Sequence, residues 1–325
     1  SSAELSDHLD LDINYNLITV GRYLTCSIYP LSVLLFNLLI HRDLKGYELV
    51  VNSQNCCYFI PKNPALWSYV HFPKALEQAV LVTSEQKSLI RGFYEKLIRS
   101  IYMREPYERC RWIACNSEFT REALLQVNPV LVSTSSVVYP PLSFGDCAVT
   151  TSSKLKMCLI VGKFGSDKRQ IELLDVAFSC PDFRFVMVGG ADTSGAYYRK
   201  LESIIEARGL TNVYLHPNET SRKLAELYRE AAVFIHAKVC EHFGLVTIEA
   251  ISAGCLPLVH NSGGQVEIVE DKNLRFDEIR ELPEKIKFYI DRDNTRDLEK
   301  LTAGLDRFAI DQFDLALDNA FDEIS

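Results

Sequence analysis

Between residues 156 and 264 the chain alternates five short apolar runs with four longer amphipathic ones, and this rhythm constrains the fold more than any other feature. The runs "KMCLIVG" (156–162), "FRFVMVGG" (183–190), "NVYLHP" (212–217), "AVFIHA" (232–237) and "LPLVHNSGG" (256–264) read as strands. Between them "RQIELLDVAFS" (169–179), "YYRKLESIIEARGL" (197–210), "SRKLAELYREA" (221–231) and "GLVTIEAISAG" (244–254) have helical spacing. Continuously apolar strands are buried on both faces, and a helix after each strand returns the chain for parallel pairing. The pattern predicts a doubly wound, Rossmann-like α/β domain.

The first half repeats this less regularly. Residues 47–54, 66–73, 111–117 and 135–141 read as strands, and "EFTREALLQV" (118–127) as a helix capped by Ser117 with Glu118 in its first turn. The Pro-, Ser- and Thr-rich stretch 140–154 reads as a linker. The expected organisation is α/β with two Rossmann-like doubly wound parallel-sheet domains facing a cleft: 1–144, then 145–308, then a closing helix over 309–325. In such sheets ligands bind beyond the carboxyl ends of the strands.

Composition excludes several classes. The 325 residues are 47% hydrophobic and 24% charged, as in an ordinary globular protein, and the net charge of -8 excludes a general nucleic-acid binder. The ten cysteines form no Cys-x-x-Cys pair, so neither a zinc site nor a small disulfide framework is indicated. Cys158, Cys180 and Cys255 have apolar neighbours and read as core residues of a protein in a reducing compartment. The opening residues do not read as a secretory signal. The longest apolar run, about Ile28 to Ile40, contains Pro30 and Asn37 and is too short to span a bilayer.

Three places carry chemistry. "VGKFGSDKRQ" (161–170) delivers Gly162 and Lys163 to a strand's carboxyl end and then places Lys168 and Arg169 near a helix start. Cations are disfavoured there, Asp167 could cap and compensate, and a bound phosphate would remove the conflict; a solvated basic turn is the plainer reading. In "CEHFGLVTIEAISAG" (240–254), Glu241 lies in the loop before a helix that starts after Gly244. Glu249 lies in that helix's second turn, and the N–H groups near Gly244 and Leu245 can hold an anion. Glu249 suits a vicinal diol, or else it is a buried carboxylate satisfied locally. His71 ends a strand in the first domain, and the pair Gly263–Gly264 allows close backbone approach to a ligand, or forms an ordinary turn.

Together these residues resemble the GT-B glycosyltransferases of family 4. Glu241, Phe243, Gly244 and Glu249 fit that family's pattern of two glutamates separated by seven residues with Phe-Gly after the first. The family's basic pair falls on Lys163 and Lys168, with lysine replacing the usual arginine at 163. "HFP", "CNSEFT", "VVYPP", "EHFG" and "HNSGG" look most like the cytosolic mannosyltransferases that build dolichol-linked oligosaccharides. The resemblance covers about residues 45–325.

It implies a retaining transfer of a hexose, mannose first, from a nucleotide diphosphate sugar such as GDP-mannose to a glycan or lipid-linked acceptor. No metal or other cofactor is implied, and Asp10-Leu11-Asp12 and Asp291-Arg292-Asp293 read as surface coincidences. Glu241, His71 and Lys168 are the implied catalytic residues. Gly162, Lys163, Lys168, Phe243, Gly244, Leu245, Glu249, Gly263 and Gly264 are the implied donor-binding residues. The basic amphipathic segment 87–104 either packs on its own sheet or touches an anionic membrane on its cytosolic face. The family's opening strand and Gly-rich loop have no counterpart before residue 45. That departure motivates one alternative, a non-catalytic partner subunit; the base pocket is not legible in the sequence, so a UDP-sugar-dependent transferase acting on a polysaccharide or small molecule stands as another.

Overall fold

The computed structural model describes residues 44, 46–53, 62, 64–73, 76, 106–142 and 154–322. The chain divides into two compact units, Ser1–Ile113 and Ala114–Ser325. The segment 87–104, the first Asp-x-Asp and most of the stretch 140–154 lie outside the described residues.

A four-stranded sheet runs in the order β1-β2-β3-β4, from Leu49–Asn52, Ala65–Val70, Trp112–Cys115 and Ser135–Val137. All four match strands predicted from the sequence, and β1 and β2 pair in parallel with Leu49 opposite Ala65. In the first unit Trp67 packs edge-on against Trp112, ring centroids 5.0 Å apart. The strand predicted over 135–141 stops earlier, at Val137, before two prolines that have no N–H to donate. Helix α1 (Glu118–Val127) begins where expected, with the Ser117 side chain accepting from Thr120 N.

The second sheet has six strands, β5 (Leu155–Val161), β6 (Arg184–Gly189), β7 (Val213–Pro217), β8 (Ala231–His236), β9 (Leu256–His260) and β10 (Arg275–Phe276). Their spatial order is β10-β9-β8-β5-β6-β7, and every recorded pairing is parallel. The connecting helices are α2 (Gln170–Ser179), α3 (Ala196–Ala207), α4 (Ser221–Glu230), α5 (Leu245–Ser252) and α6 (Gln265–Ile268). Helices α7 (Leu282–Ile290), α8 (Thr295–Ala303) and α9 (Ile310–Asp322) follow.

Strand β5 shows why its run is apolar from Met157 to Val161. Cys158 and Ile160 face a core with Leu173, Leu174, Leu201 and Ile286. Met157, Leu159 and Val161 face the other way, against Leu227, Tyr228, Phe234 and Ala250. Period-two alternation therefore sends both sets of side chains into a core. Cys158, Cys180 and Cys255 are buried and unbridged, as read from their neighbours. Among the described residues, no helix is long and apolar enough to cross a membrane.

Sheet order also fixes where a ligand can sit. From β5 the chain runs outward through β6 and β7, then returns to place β8 on the other flank of β5. The loops after β5 and β8 therefore diverge and leave a crevice at the carboxyl edge of the sheet.

Candidate active site

The loop after β5 supplies one wall. Gly162 lies under the Lys168 methylenes, and a Cβ there would sit 3.4 Å from Lys168 Cδ and Cε. Gln170 Nε2 donates to Lys163 O (3.1 Å), which shapes the turn, and the exposed Lys163 side chain makes no ion pair among the described residues. The helix expected near Lys168 starts later. Residues Ser166–Lys168 form a 3-10 turn, Arg169 adopts a left-handed conformation (φ 59°), and α2 begins at Gln170 with no side-chain cap from Asp167. The cation–dipole conflict seen in the sequence is answered by carboxylates of the protein itself. Arg169 Nε donates to Glu172 Oε2 (2.8 Å), and Lys168 Nζ lies 2.6 Å from Glu241 Oε2.

The loop after β8 supplies the other wall and holds Glu241 at the centre of a charge cluster. Its carboxylate meets Lys168 at 2.6 Å, Lys238 at 3.4 Å and His236 Nε2 at 3.2 Å, and it accepts from His242 N at 3.2 Å. Burial alone would raise its pKa, but His236, Lys168 and Lys238 outweigh that and hold Glu241 well below the usual carboxylate range. It is therefore an anion, and a pure acceptor, at any ordinary pH. His236 ends β8 fully buried, and burial lowers its pKa, with Glu241 opposing. Thr247 Oγ1 sits 3.4 Å from His236 Nδ1. A hydroxyl donating there leaves the ring proton on Nε2, facing Glu241 without the alignment of a good hydrogen bond. Two ammonium groups against one carboxylate leave the crevice net positive.

Helix α5 adds the remaining donor groups. Gly244 precedes it at φ 112° with no side-chain cap, and among the described residues the N–H groups of Leu245 and Val246 have no protein acceptor. Glu249 stands in the second turn, as its spacing implied, and accepts from Tyr228 Oη at 2.9 Å. Burial raises its pKa, and the Tyr228 hydrogen bond partly offsets this. The Phe243 ring is core. It is 3% exposed, stacks on Tyr139 with centroids 5.7 Å apart and meets Phe308 edge-on.

The Gly263–Gly264 pair meets backbone of the protein itself at close range. A Cβ on Gly263 would lie 2.3 Å from Glu241 O, and one on Gly264 2.3 Å from His242 O. Gly264 N donates to Glu241 O (2.8 Å), and Ser262 Oγ accepts from Cys240 N (2.8 Å). The close backbone approach that needs these glycines is to the loop bearing Glu241. Cys240 itself is held at φ 52°, a conformation that costs a non-glycine residue about 1 kcal/mol or more.

His71 belongs to the first unit, exposed just after β2, with its ring edge-on to Tyr69 at 5.3 Å. Asp291 and Asp293 lie between α7 and α8. Asp291 pairs with Lys156 (2.6 Å), and Asp293 accepts from Thr295. Among the described residues, no three or more His, Cys, Asp or Glu side chains converge as metal ligands would. Sequence reasoning missed His236, Lys238 and Tyr228. His236 and Lys238 flank the end of an apolar strand, and a scan for polar residues at strand ends beside a switch point would have found them.

Residues 148–299 match the family model described as glycosyl transferases group 1. The Rhizomucor pusillus alpha-1,3/1,6-mannosyltransferase ALG2 is 22% identical over 305 residues, covering 77% of this chain and 64% of that protein. The Saccharomyces cerevisiae protein of the same name is 21% identical over 284 residues, covering 73% and 55%. The chain thus spans about three fifths of the length of these curated relatives. Among solved structures, Anabaena Alr3699/HepE in complex with UDP superposes with TM-score 0.70 at 17% identity, covering 90% of this chain and 82% of that one. A glycosyltransferase from Rickettsia africae superposes with TM-score 0.69 at 18% identity, covering 99% and 88%. Residues 148–299 are thus similar to group 1 glycosyltransferases, and the parallel-sheet α/β architecture shares the GT-B fold of these solved neighbours.

Proposed function

We propose that the chain transfers a hexose, mannose first, from a nucleoside diphosphate sugar to a glycan or lipid-linked acceptor, with retention at the anomeric carbon and without a metal. One observation carries the reading. Lys168 and Lys238 flank the buried Glu241 carboxylate in the loop after β8, and that loop leads into the uncapped start of α5. Charge develops on the leaving diphosphate as the glycosidic bond breaks. Lys163, Lys168 and the Leu245 and Val246 N–H groups would meet that charge without reorganisation, which is electrostatic catalysis. Glu241 would accept hydrogen bonds from the donor sugar's hydroxyls. Glu249 would take the ribose diol, with Tyr228 fixing its carboxylate. His71 is the first unit's candidate for the transfer step. No side chain is assigned as a covalent nucleophile.

Support for mannose comes from the relatives' names. A Homo sapiens protein named GDP-Man:Man(3)GlcNAc(2)-PP-Dol alpha-1,2-mannosyltransferase is 27% identical over 169 residues, covering 47% of this chain and 34% of that protein. That name motivates GDP-mannose as donor and a dolichyl-diphosphate glycan as acceptor. The HepE structure is a complex with UDP, which motivates the second reading, a UDP-sugar donor.

The experiment incubates the protein with GDP-mannose and with UDP-glucose, with and without a dolichyl-diphosphate oligosaccharide, and measures nucleotide release and the product anomer. GDP release that depends on the acceptor and yields an α-linked product is expected. Turnover that is unchanged in a Glu249→Ala variant counts against the site, and turnover of UDP-glucose alone selects the second reading.

A further inference from the structure

The loop between β8 and α5 has no regular structure, yet its carbonyls are held one by one. Gln265 Nε2 donates to Lys238 O (3.2 Å) and Gly264 N to Glu241 O (2.8 Å), both from the segment after β9. The third hold comes from much earlier in the chain. Ser117 Oγ donates to His242 O at 2.7 Å while accepting from Thr120 N at 3.0 Å. Asn116 Oδ1, at 3.2 Å, is the more distant acceptor for that single hydroxyl hydrogen. One wholly buried hydroxyl therefore starts α1 and grips the loop next to Glu241. Capping alone needs only an acceptor, which Asp or Asn would supply equally well. The grip on His242 O needs a donor as well.

A second join lies beside the first. Glu267, on α6, accepts from Phe119 N (2.8 Å) and Glu118 N (2.9 Å), so a carboxylate closes the positive end of α1. Tyr139 Oη donates to the same carboxylate at 3.1 Å. Burial and the neighbouring Glu267 push Tyr139 up to about 12, so it remains a donor at working pH. The Tyr139 ring in turn stacks on Phe243, the residue after His242.

We propose that Ser117 and Glu267 are positioning residues for Glu241: they dock the amino end of α1 onto residues 242–243 and 264–267 and so hold the Glu241 carboxylate against Lys168 and His236. The assignment rests on the glycosyltransferase reading of the crevice. Neither residue lies within the two-glutamate motif, and they are separated in sequence by 150 positions.

The test compares the whole chain with its Ser117→Ala and Glu267→Gln variants. Hydrogen exchange is followed at the amides of residues 241–246 and, as a reference, of β5 and β6. Affinity for GDP and turnover of GDP-mannose are measured alongside, each variant also in a Glu241→Gln background. Exchange at 241–246 is expected to quicken about tenfold while β5 and β6 stay protected. Turnover is expected to fall about tenfold with GDP affinity changed less than about twofold, and that loss should vanish when Glu241 is already Gln. The proposal is overturned by unchanged exchange at 241–246, by faster exchange spread through β5 and β6, or by a turnover loss that persists in the Glu241→Gln background. If the parent chain binds no GDP or UDP and turns over neither sugar, the glycosyltransferase reading fails. The exchange comparison then still decides whether α1 holds the loop.

Discussion

Glu241 is stabilised by two lysines and destabilised by its own burial, and its position depends on both. Its low pKa has a defined consequence for stability. A carboxyl whose folded pKa is depressed stabilises the fold above its ordinary value of 4.5 and loses that contribution as the pH falls below it. His236, a base whose pKa burial has lowered, contributes in the same direction, favouring the fold above its ordinary 6.5. Acid denaturation curves should therefore be less steep for Glu241→Gln than for the parent chain. At neutral pH that variant should lose about 3 kcal/mol in urea unfolding, because Lys168 and Lys238 are left facing each other without an anion. Turnover should fall about a hundredfold or more if the carboxylate contacts the reacting sugar. The two glycines give a sharper geometric case. Gly263→Ala should destabilise by more than about 2 kcal/mol, since its Cβ would lie 2.3 Å from a backbone oxygen. Gly190→Ala, with no atom within 4 Å of the added carbon, should be nearly neutral and serves as the control.

Among the elements, the short turn before α2 and the start of α5 do the recognition. The sequence placed Lys168 and Arg169 at a helix start and left a bound anion and a solvated basic turn both open. The protein pairs them with Glu241 and Glu172, using a left-handed Arg169 to separate the two cations. That outcome was not legible beforehand because it depends on a carboxylate 73 residues away. Ser117 as a cap was legible, since capping is local, whereas its second bond to His242 O was not. The Gly263–Gly264 pair announced a close backbone approach, but its packing against the Glu241 loop was not legible, because backbone packing between two loops leaves no side-chain pattern. One prediction belongs here. Lys168→Ala should weaken nucleoside diphosphate binding about tenfold or more, and raising the salt concentration should narrow the difference, because the contact is ionic.

For the whole molecule, the parallel sheets followed from apolar runs without alternation, and the β5 side chains buried on both faces show the physical reason. Phe234 sits wholly buried in β8, two residues before His236, with ring centroids 6.0 Å apart. Phe234→Ala should cost about 3–5 kcal/mol in chemical denaturation. The loops on either side of the switch point carry Lys168 and Glu241 to a common place, and this follows from strand order alone. His71, on the first unit, is a separate matter of chemistry, and His71→Ala should lower transfer to the acceptor more than it lowers nucleotide affinity.

The most direct measurement is a calorimetric titration of GDP, and of UDP for comparison, into the parent chain and its Glu249→Ala and Lys168→Ala variants. Saturable one-to-one binding by the parent, weakened about tenfold or more in each variant, is the predicted result. Absence of binding to either nucleotide, or equal affinity in all three proteins, would contradict a nucleotide-sugar site at the β5–β8 crevice.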